Sequence, residues 1–154
     1  MSIRILRPED RHRAGWEELY AGYARFYRTD QTAAMRARVW SWLQDADEEL
    51  QGFVAEDDQG RLVGLAHFRE FSRPLSATRG GFLDDLFVTP EARGSGAARA
   101  LLAALADEAR SRGWSVVRWI TADDNYRARG LYDQVATRTS WLTYDMPPSE
   151  AEPT

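Results

Sequence analysis

The chain has 154 residues, 44% of them apolar, which is enough for one domain with a real core. Its lack of cysteine excludes disulfides, thiolate metal sites and a cysteine nucleophile. A formal net charge of -4, with 20 basic residues that are all arginine, argues against a nucleic-acid partner, because phosphate binding needs a concentrated basic surface.

No signal-peptide pattern opens the chain, and no stretch approaches the roughly 20 apolar residues of a membrane span. A cytoplasmic protein with no membrane partner is expected.

"SIRIL", residues 2–6, alternates like a short strand, and Pro8 suits the first turn of a helix. From Pro8 to about Arg28, the residues Trp16, Leu19, Tyr20, Tyr23, Phe26 and Tyr27 recur at three- and four-residue steps, the spacing of one helical face. A second helix is expected over roughly Gln31 to Leu43, with Met35, Val39, Trp40 and Trp42.

Residues 52–71 read as two strands joined by a polar turn at Asp57 to Gly60. "SRPLSATRGG", residues 72–81, is loop by composition, and "FLDDLFV", residues 82–88, is the next strand. A long helix then carries Ala98, Leu101, Leu102, Leu105 and Ala109 on one stripe and stops at Gly113. Strand 114–120, a helix from about Asp124 to Val135, a strand over 140–146 and a disordered tail over 147–154 complete the reading. One mixed α/β domain over residues 1–146 is expected, in the order β-α-α-β-β-β-α-β-α-β.

The bend "ARGSGAAR" between the strand ending at Val88 and the long helix has the build of a phosphate cradle. Small residues let backbone N–H groups converge, and a helix N-terminus adds positive potential. A Walker A loop would need Gly-Lys-Ser/Thr, which is missing, and a dinucleotide fingerprint would need a small residue where Arg99 stands. What remains is Arg93-x-x-Gly96-x-Ala98, or else an ordinary strand-to-helix turn.

"LDDLFVTPEARGSGAARALL" resembles the acyl-CoA-binding signature of the GNAT superfamily of N-acetyltransferases, Q/R-x-x-G-x-G/A. "NYRARGLY", residues 125–132, is similar to the later family pattern N-x-x-A-x-x-L-Y. The resemblance implies the GNAT acyl-CoA N-acyltransferase fold, with a mixed, mostly antiparallel sheet flanked by about four helices. It implies acetyl-CoA as cosubstrate with no metal, its pyrophosphate cradled by Arg93, Gly94, Ser95, Gly96, Ala97 and Ala98. Asn125 would lie beside the pantetheine arm, and Tyr132 beside the thioester sulfur as general acid. A small-molecule or peptide amine as acceptor and a homodimer, common in the family, follow as expectations. The family pattern continues after the tyrosine with a glycine and an aromatic, where this chain has Ala136 and Thr137; that departure falls on the wall of the acceptor pocket.

An alkyl ammonium with a pKa near about 10.4 must lose a proton before it attacks. Asp84 and Asp85 stand mid-strand, where neighbouring residues point to opposite faces; with the sheet covered on both faces, neither would have an obvious structural reason to be there. Polyamine acetyltransferases of the superfamily have an acidic pair here, which makes Asp84 the first choice of base and Asp85 the second. A salt bridge, a strand edge or a water relay stand as alternatives.

With no basic side chain in the strand, the oxyanion donor is expected from a backbone N–H among Leu86, Phe87 and Val88, where splaying from strand 114–120 would open a slot for the pantetheine arm. His67 reads either as a base or as a hydrogen-bonded core residue, and the Tyr20–Tyr27 aromatics as core or as walls of a cationic amine pocket. A direct transfer to a primary amine in a ternary complex is one functional reading. A non-catalytic acyl-CoA sensor is another, and acyl transfer to an alcohol a third.

Overall fold

In the computed structural model, which describes residues 2–150, the chain divides into two units, residues up to Ile120 and residues from Thr121 onward. The first unit is built on a five-stranded sheet in the order β1 (Arg4–Leu6), β2 (Leu50–Glu56), β3 (Leu62–Arg73), β4 (Thr78–Val88), β5 (Val117–Arg118). All neighbours are antiparallel except β4 and β5, which run parallel. Helices α1 (Arg13–Phe26), α2 (Ala33–Gln44) and α3 (Ala97–Arg112) belong to this unit, and α4 (Tyr126–Val135) to the second. Among the described residues no helix is long and apolar enough to cross a membrane.

The Trp16, Leu19, Tyr20 and Tyr23 stripe places α1 on β3 and β4. Trp16 packs 5.2 Å, centroid to centroid, from Trp40 of α2, and Leu19, Val54 and Leu65 close the core around them. Removal of this apolar surface from water is the main force holding α1 and α2 to the sheet. The hairpin turn forms as expected: Gly60 takes a φ of 77°, and its N–H donates to the Asp57 carbonyl. Gly113, at φ 71°, ends α3 in the left-handed conformation that glycine adopts without strain.

Three expectations need correction. The segment 72–81 is no long loop: β3 runs to Arg73, one 3-10 turn covers Pro74–Ser76, Ala77 turns the chain at φ 55°, and β4 begins at Thr78. Its two glycines are there for space. A Cβ on Gly80 would lie 2.9 Å from the Phe71 ring, and one on Gly81 would lie 2.3 Å from Cζ3 of Trp114. The expected strand 114–120 pairs with β4 only at Gly81–Val117 and Phe82–Arg118.

Residues 140–146 form no strand. They have no ladder partner among the described residues, and Trp141, Leu142, Tyr144 and Met146 are exposed; alternation alone cannot make a strand without a neighbour. The expected tail falls partly on residues 151–154, which lie outside the described residues.

The Trp114 ring cannot easily retreat from Gly81, because its indole N–H donates to Glu70 Oε1 at 2.8 Å and its edge meets Phe68. Gly81→Ala is therefore expected to destabilise the protein by about 1–3 kcal/mol, the usual cost of overfilling a packed core. A denaturant midpoint equal to that of the wild type would show that the ring gives way.

At the other edge of the sheet, Glu56 faces Arg4 across the β1–β2 ladder and is buried. Arg4 reaches it at 2.5 Å and Arg11 at 2.9 Å, and these hydrogen bonds hold its carboxyl at about 2. In the unfolded chain it would titrate near about 4.3, so ionised Glu56 favours the fold above that pH, and the contribution disappears as pH falls towards 2. The Glu56→Gln variant should lose this part of the acid dependence, giving a flatter curve of melting temperature against pH between those two values.

Candidate active site

A β-bulge builds the centre of the site. In the β3–β4 ladder His67 pairs with Asp85 but Phe68 pairs with Leu83, so Asp84 is an extra residue without a partner. The consequence corrects the expectation that the two aspartates face opposite ways. Asp85 Oδ2 lies 2.8 Å from Nδ1 of His67, and Asp84 Oδ2 lies 3.1 Å from Nε of Arg69. His67 and Arg69 are two residues apart on β3 and share a face, so both carboxylates lie on that face, the one α1 covers.

Their environments differ. Burial pushes the Asp84 carboxyl above its ordinary value, and the nearby Asp85 charge adds to this, against the opposing pull of Arg69. Burial also acts to raise Asp85, but hydrogen bonds from His67, Tyr20 and Tyr23 outweigh it and hold that carboxyl below the ordinary value. Tyr20 donates its hydroxyl to Asp85 Oδ2 at 2.9 Å. Burial, and after it the Asp85 charge, keeps the phenols of Tyr20 and Tyr23 protonated well past their usual range and raises that of Tyr27. Of the aromatics expected on this face, Tyr20 and Tyr23 are half-buried, while Phe26 and Tyr27 are exposed and so are not core.

Beyond the bulge, β4 continues through Leu86, Phe87 and Val88 with only β3 beside it. Its other edge is paired at Gly81 and Phe82 and with no further strand among the described residues. Past Val88 the chain makes one 3-10 turn, Pro90–Ala92, and reaches the glycine bend. Gly94 and Gly96 have φ of 83° and 88°, and a Cβ on either would meet nothing within 4 Å. The glycines are required for their left-handed backbone and leave the space outside the bend open.

Gly96 precedes the first residue of α3, Ala97, whose N–H lies 3.3 Å from Ser95 Oγ. First-turn N–H groups of a helix have no intrahelical acceptor and suit an anion, and Arg93 supplies a full positive charge, its guanidinium 5.6 Å over the Phe26 ring. The residues present therefore fit a pyrophosphate.

In the second unit Asn125 immediately precedes α4, its carbonyl accepting the Arg129 N–H, and Tyr132 lies seven residues on, about 10 Å along the axis and near the same side. The Arg129 guanidinium also bonds the Asp123 carbonyl, which ties down the turn leading into α4. His67 is fully buried and hydrogen-bonded on both ring nitrogens, to Trp16 and to Asp85. Sequence reasoning placed Trp16 on the helical face without a role at the site and did not single out Arg69; both reach their partners only through tertiary packing, so local spacing carried no signal for these contacts.

A five-stranded mixed sheet with a glycine bend opening a helix is an arrangement found in acyl-CoA-dependent transferases, and comparison with known proteins places this chain among them. The Acetyltransferase (GNAT) family model matches residues 16–136, and the chain belongs to that family of acetyl-CoA-dependent acetyltransferases. It is 27% identical over 143 residues to the D-amino-acid N-acetyltransferase HPA3 of Saccharomyces cerevisiae, covering 92% of this chain and 88% of that protein. It is 30% identical over 135 residues to the uncharacterized N-acetyltransferase YhfO of Bacillus subtilis, covering 87% of each. Among solved structures, ribosomal-protein-alanine N-acetyltransferase from Brucella melitensis biovar Abortus 2308 matches with a TM-score of 0.79 and 28% identity, covering 96% of this chain and 99% of that one.

Proposed function

We propose that the protein transfers acetyl directly from acetyl-CoA to a primary amine in a ternary complex. The observation that carries this reading is the bulge at Asp84, which sets two carboxylates with oppositely displaced pKa values side by side against an aromatic wall. Such a pair divides labour: the raised group exchanges protons, and the depressed one stays charged. Asp84 takes the proton of the attacking amine, directly or through water, and Asp85 holds the ammonium before that transfer. Tyr20 and Tyr23 add ring faces that favour a cation.

Backbone N–H groups among Leu86, Phe87 and Val88 are aimed at the developing oxyanion, which the one-sided pairing of β4 supports. The bend from Arg93 to Ala98 binds the pyrophosphate, Asn125 the pantetheine arm, and Tyr132 returns a proton to sulfur. Acetyl-CoA supplies the activated acyl group. Without cysteine no acetyl-cysteine relay is open, which favours direct transfer.

The similarity to HPA3 makes amino acids part of the acceptor class to be tested, beside polyamines and lysine side chains. Thiol release from acetyl-CoA, followed over a panel of D- and L-amino acids, polyamines, basic peptides and aminoglycosides, is expected to respond to at least one amine. Silence from every amine with tight coenzyme A binding would overturn the reading in favour of an acyl-CoA sensor.

A further inference from the structure

His67 occupies the middle of the sheet, 1% exposed, and the direct transfer chemistry gives it no task. Its surroundings are specific. The Trp16 indole N–H lies 2.9 Å from Nε2, and Nδ1 lies 2.8 Å from Asp85 Oδ2. An indole nitrogen can only donate, so Nε2 must present its lone pair, and the ring hydrogen stands on Nδ1, pointing at the carboxylate. The indole, from a residue 51 positions away in the chain, and the carboxylate thus specify the same tautomer from opposite ends of the ring. The same contact occupies the nitrogen that a general base would need.

The ring is held from every side. Trp16 and Tyr20 of α1 lie with centroids 5.8 and 4.7 Å from it. On β2, the cross-strand partner Gly52 leaves room that a Cβ would take, 3.4 Å from the imidazole and 3.1 Å from Leu43 of α2. On β4, Asp85 Oδ2 receives the Nδ1 hydrogen and, at 2.9 Å, the Tyr20 hydroxyl.

We propose that Trp16 and His67 are positioning residues of the acceptor site: the indole fixes the imidazole as an Nδ1–H donor, and that donor, with Tyr20, aims the Asp85 carboxylate at the incoming amine. The inference rests on the reading of Asp85 as the amine-binding carboxylate. It explains why a polar side chain is kept in an apolar sheet: a fixed donor removes the rotational freedom that Asp85 would otherwise lose on binding each substrate.

The test compares His67→Leu, which approximates the ring volume without a donor, with His67→Asn, whose amide can place an N–H near the position of Nδ1. His67→Leu is expected to raise the KM for the amine about 30-fold, leaving the KM for acetyl-CoA within about twofold, and His67→Asn to recover most of that loss. A merely structural role would move both KM values together, or would leave Asn no better than Leu, and either result overturns the inference.

Heteronuclear NMR of the imidazole nitrogens in the unaltered protein gives a second reading, independent of whether the variants fold. The Nδ1–H tautomer is expected in the wild type and, because the carboxylate can only accept, in Trp16→Phe as well, where the less restrained ring should instead raise the amine KM alone; an Nε2–H ring in the wild type would overturn the inference. Asp85→Asn separates the two levels. Unchanged amine kinetics in that variant would remove the reading of Asp85 itself, whereas a loss there with wild-type kinetics in His67→Leu would remove only the role of His67.

Discussion

Replacement of Tyr132 by phenylalanine is expected to lower kcat about 100-fold while acetyl-CoA affinity stays within about twofold. The substitution keeps the ring and removes only the hydroxyl, so α4, which runs from Tyr126 to Val135, should stay helical. The departing thiolate of coenzyme A belongs to a thiol with a pKa near about 8.5, and a phenol near about 10 is matched closely enough to protonate it when held close. In the role proposed for it the hydroxyl acts late, as the carbon–sulfur bond breaks, so its loss would belong in kcat and not in donor binding. Thiol release under saturating amine and calorimetric titration with acetyl-CoA separate the two quantities. Turnover equal to that of the wild type would take Tyr132 out of the mechanism, and weakened acetyl-CoA binding with unchanged kcat would make it a binding residue.

The parts of this protein that were legible in its sequence are those where one residue's own chemistry decides the structure. Gly60, Gly96 and Gly113 stand where the backbone turns left-handed, and the Trp16–Leu19–Tyr23 spacing belongs to the buried face of α1. Gly80 and Gly81 look identical on paper and mean something else. They sit inside a strand because the Phe71 and Trp114 rings lie over them, and no local pattern distinguishes a glycine wanted for its φ from one wanted for its missing Cβ.

The segment around Trp141 has the alternation of a strand, yet a strand is a property of a pair, and its partner cannot be read from its own residues. Two adjacent aspartates in an apolar strand were a visible anomaly. Period-two reasoning sent them to opposite faces, because the bulge that reunites them depends on how β3 pairs with β4. The Trp16–His67 contact lay further out of reach, since it needs α1 already seated on the sheet.

The bulge also decides how the two aspartates should fail. Asp85→Asn is expected to reduce kcat/KM for the amine about 100-fold, chiefly through KM, because it removes a charge that three hydrogen-bonding side chains are arranged to keep. The amide retains the shape of the carboxylate, so the melting temperature should change far less than the activity. Asp84→Asn should act on kcat instead, and its signature lies in the pH profile.

As the proposed base Asp84 would have to be ionised to accept the amine's proton, and burial raises its carboxyl, so wild-type activity should fall as pH drops through a value above the ordinary aspartate figure of about 3.9. That acid limb should vanish in Asp84→Asn along with most of the rate, leaving only the slow attack of amine that loses its proton without the carboxylate. Measurement of kcat/KM against pH for both variants assigns the roles: an acid limb that survives Asp84→Asn and disappears in Asp85→Asn would exchange them. The exchange would also be informative about the fold, because Arg69 would then be pairing with the anchoring carboxylate and His67 with the one that moves the proton.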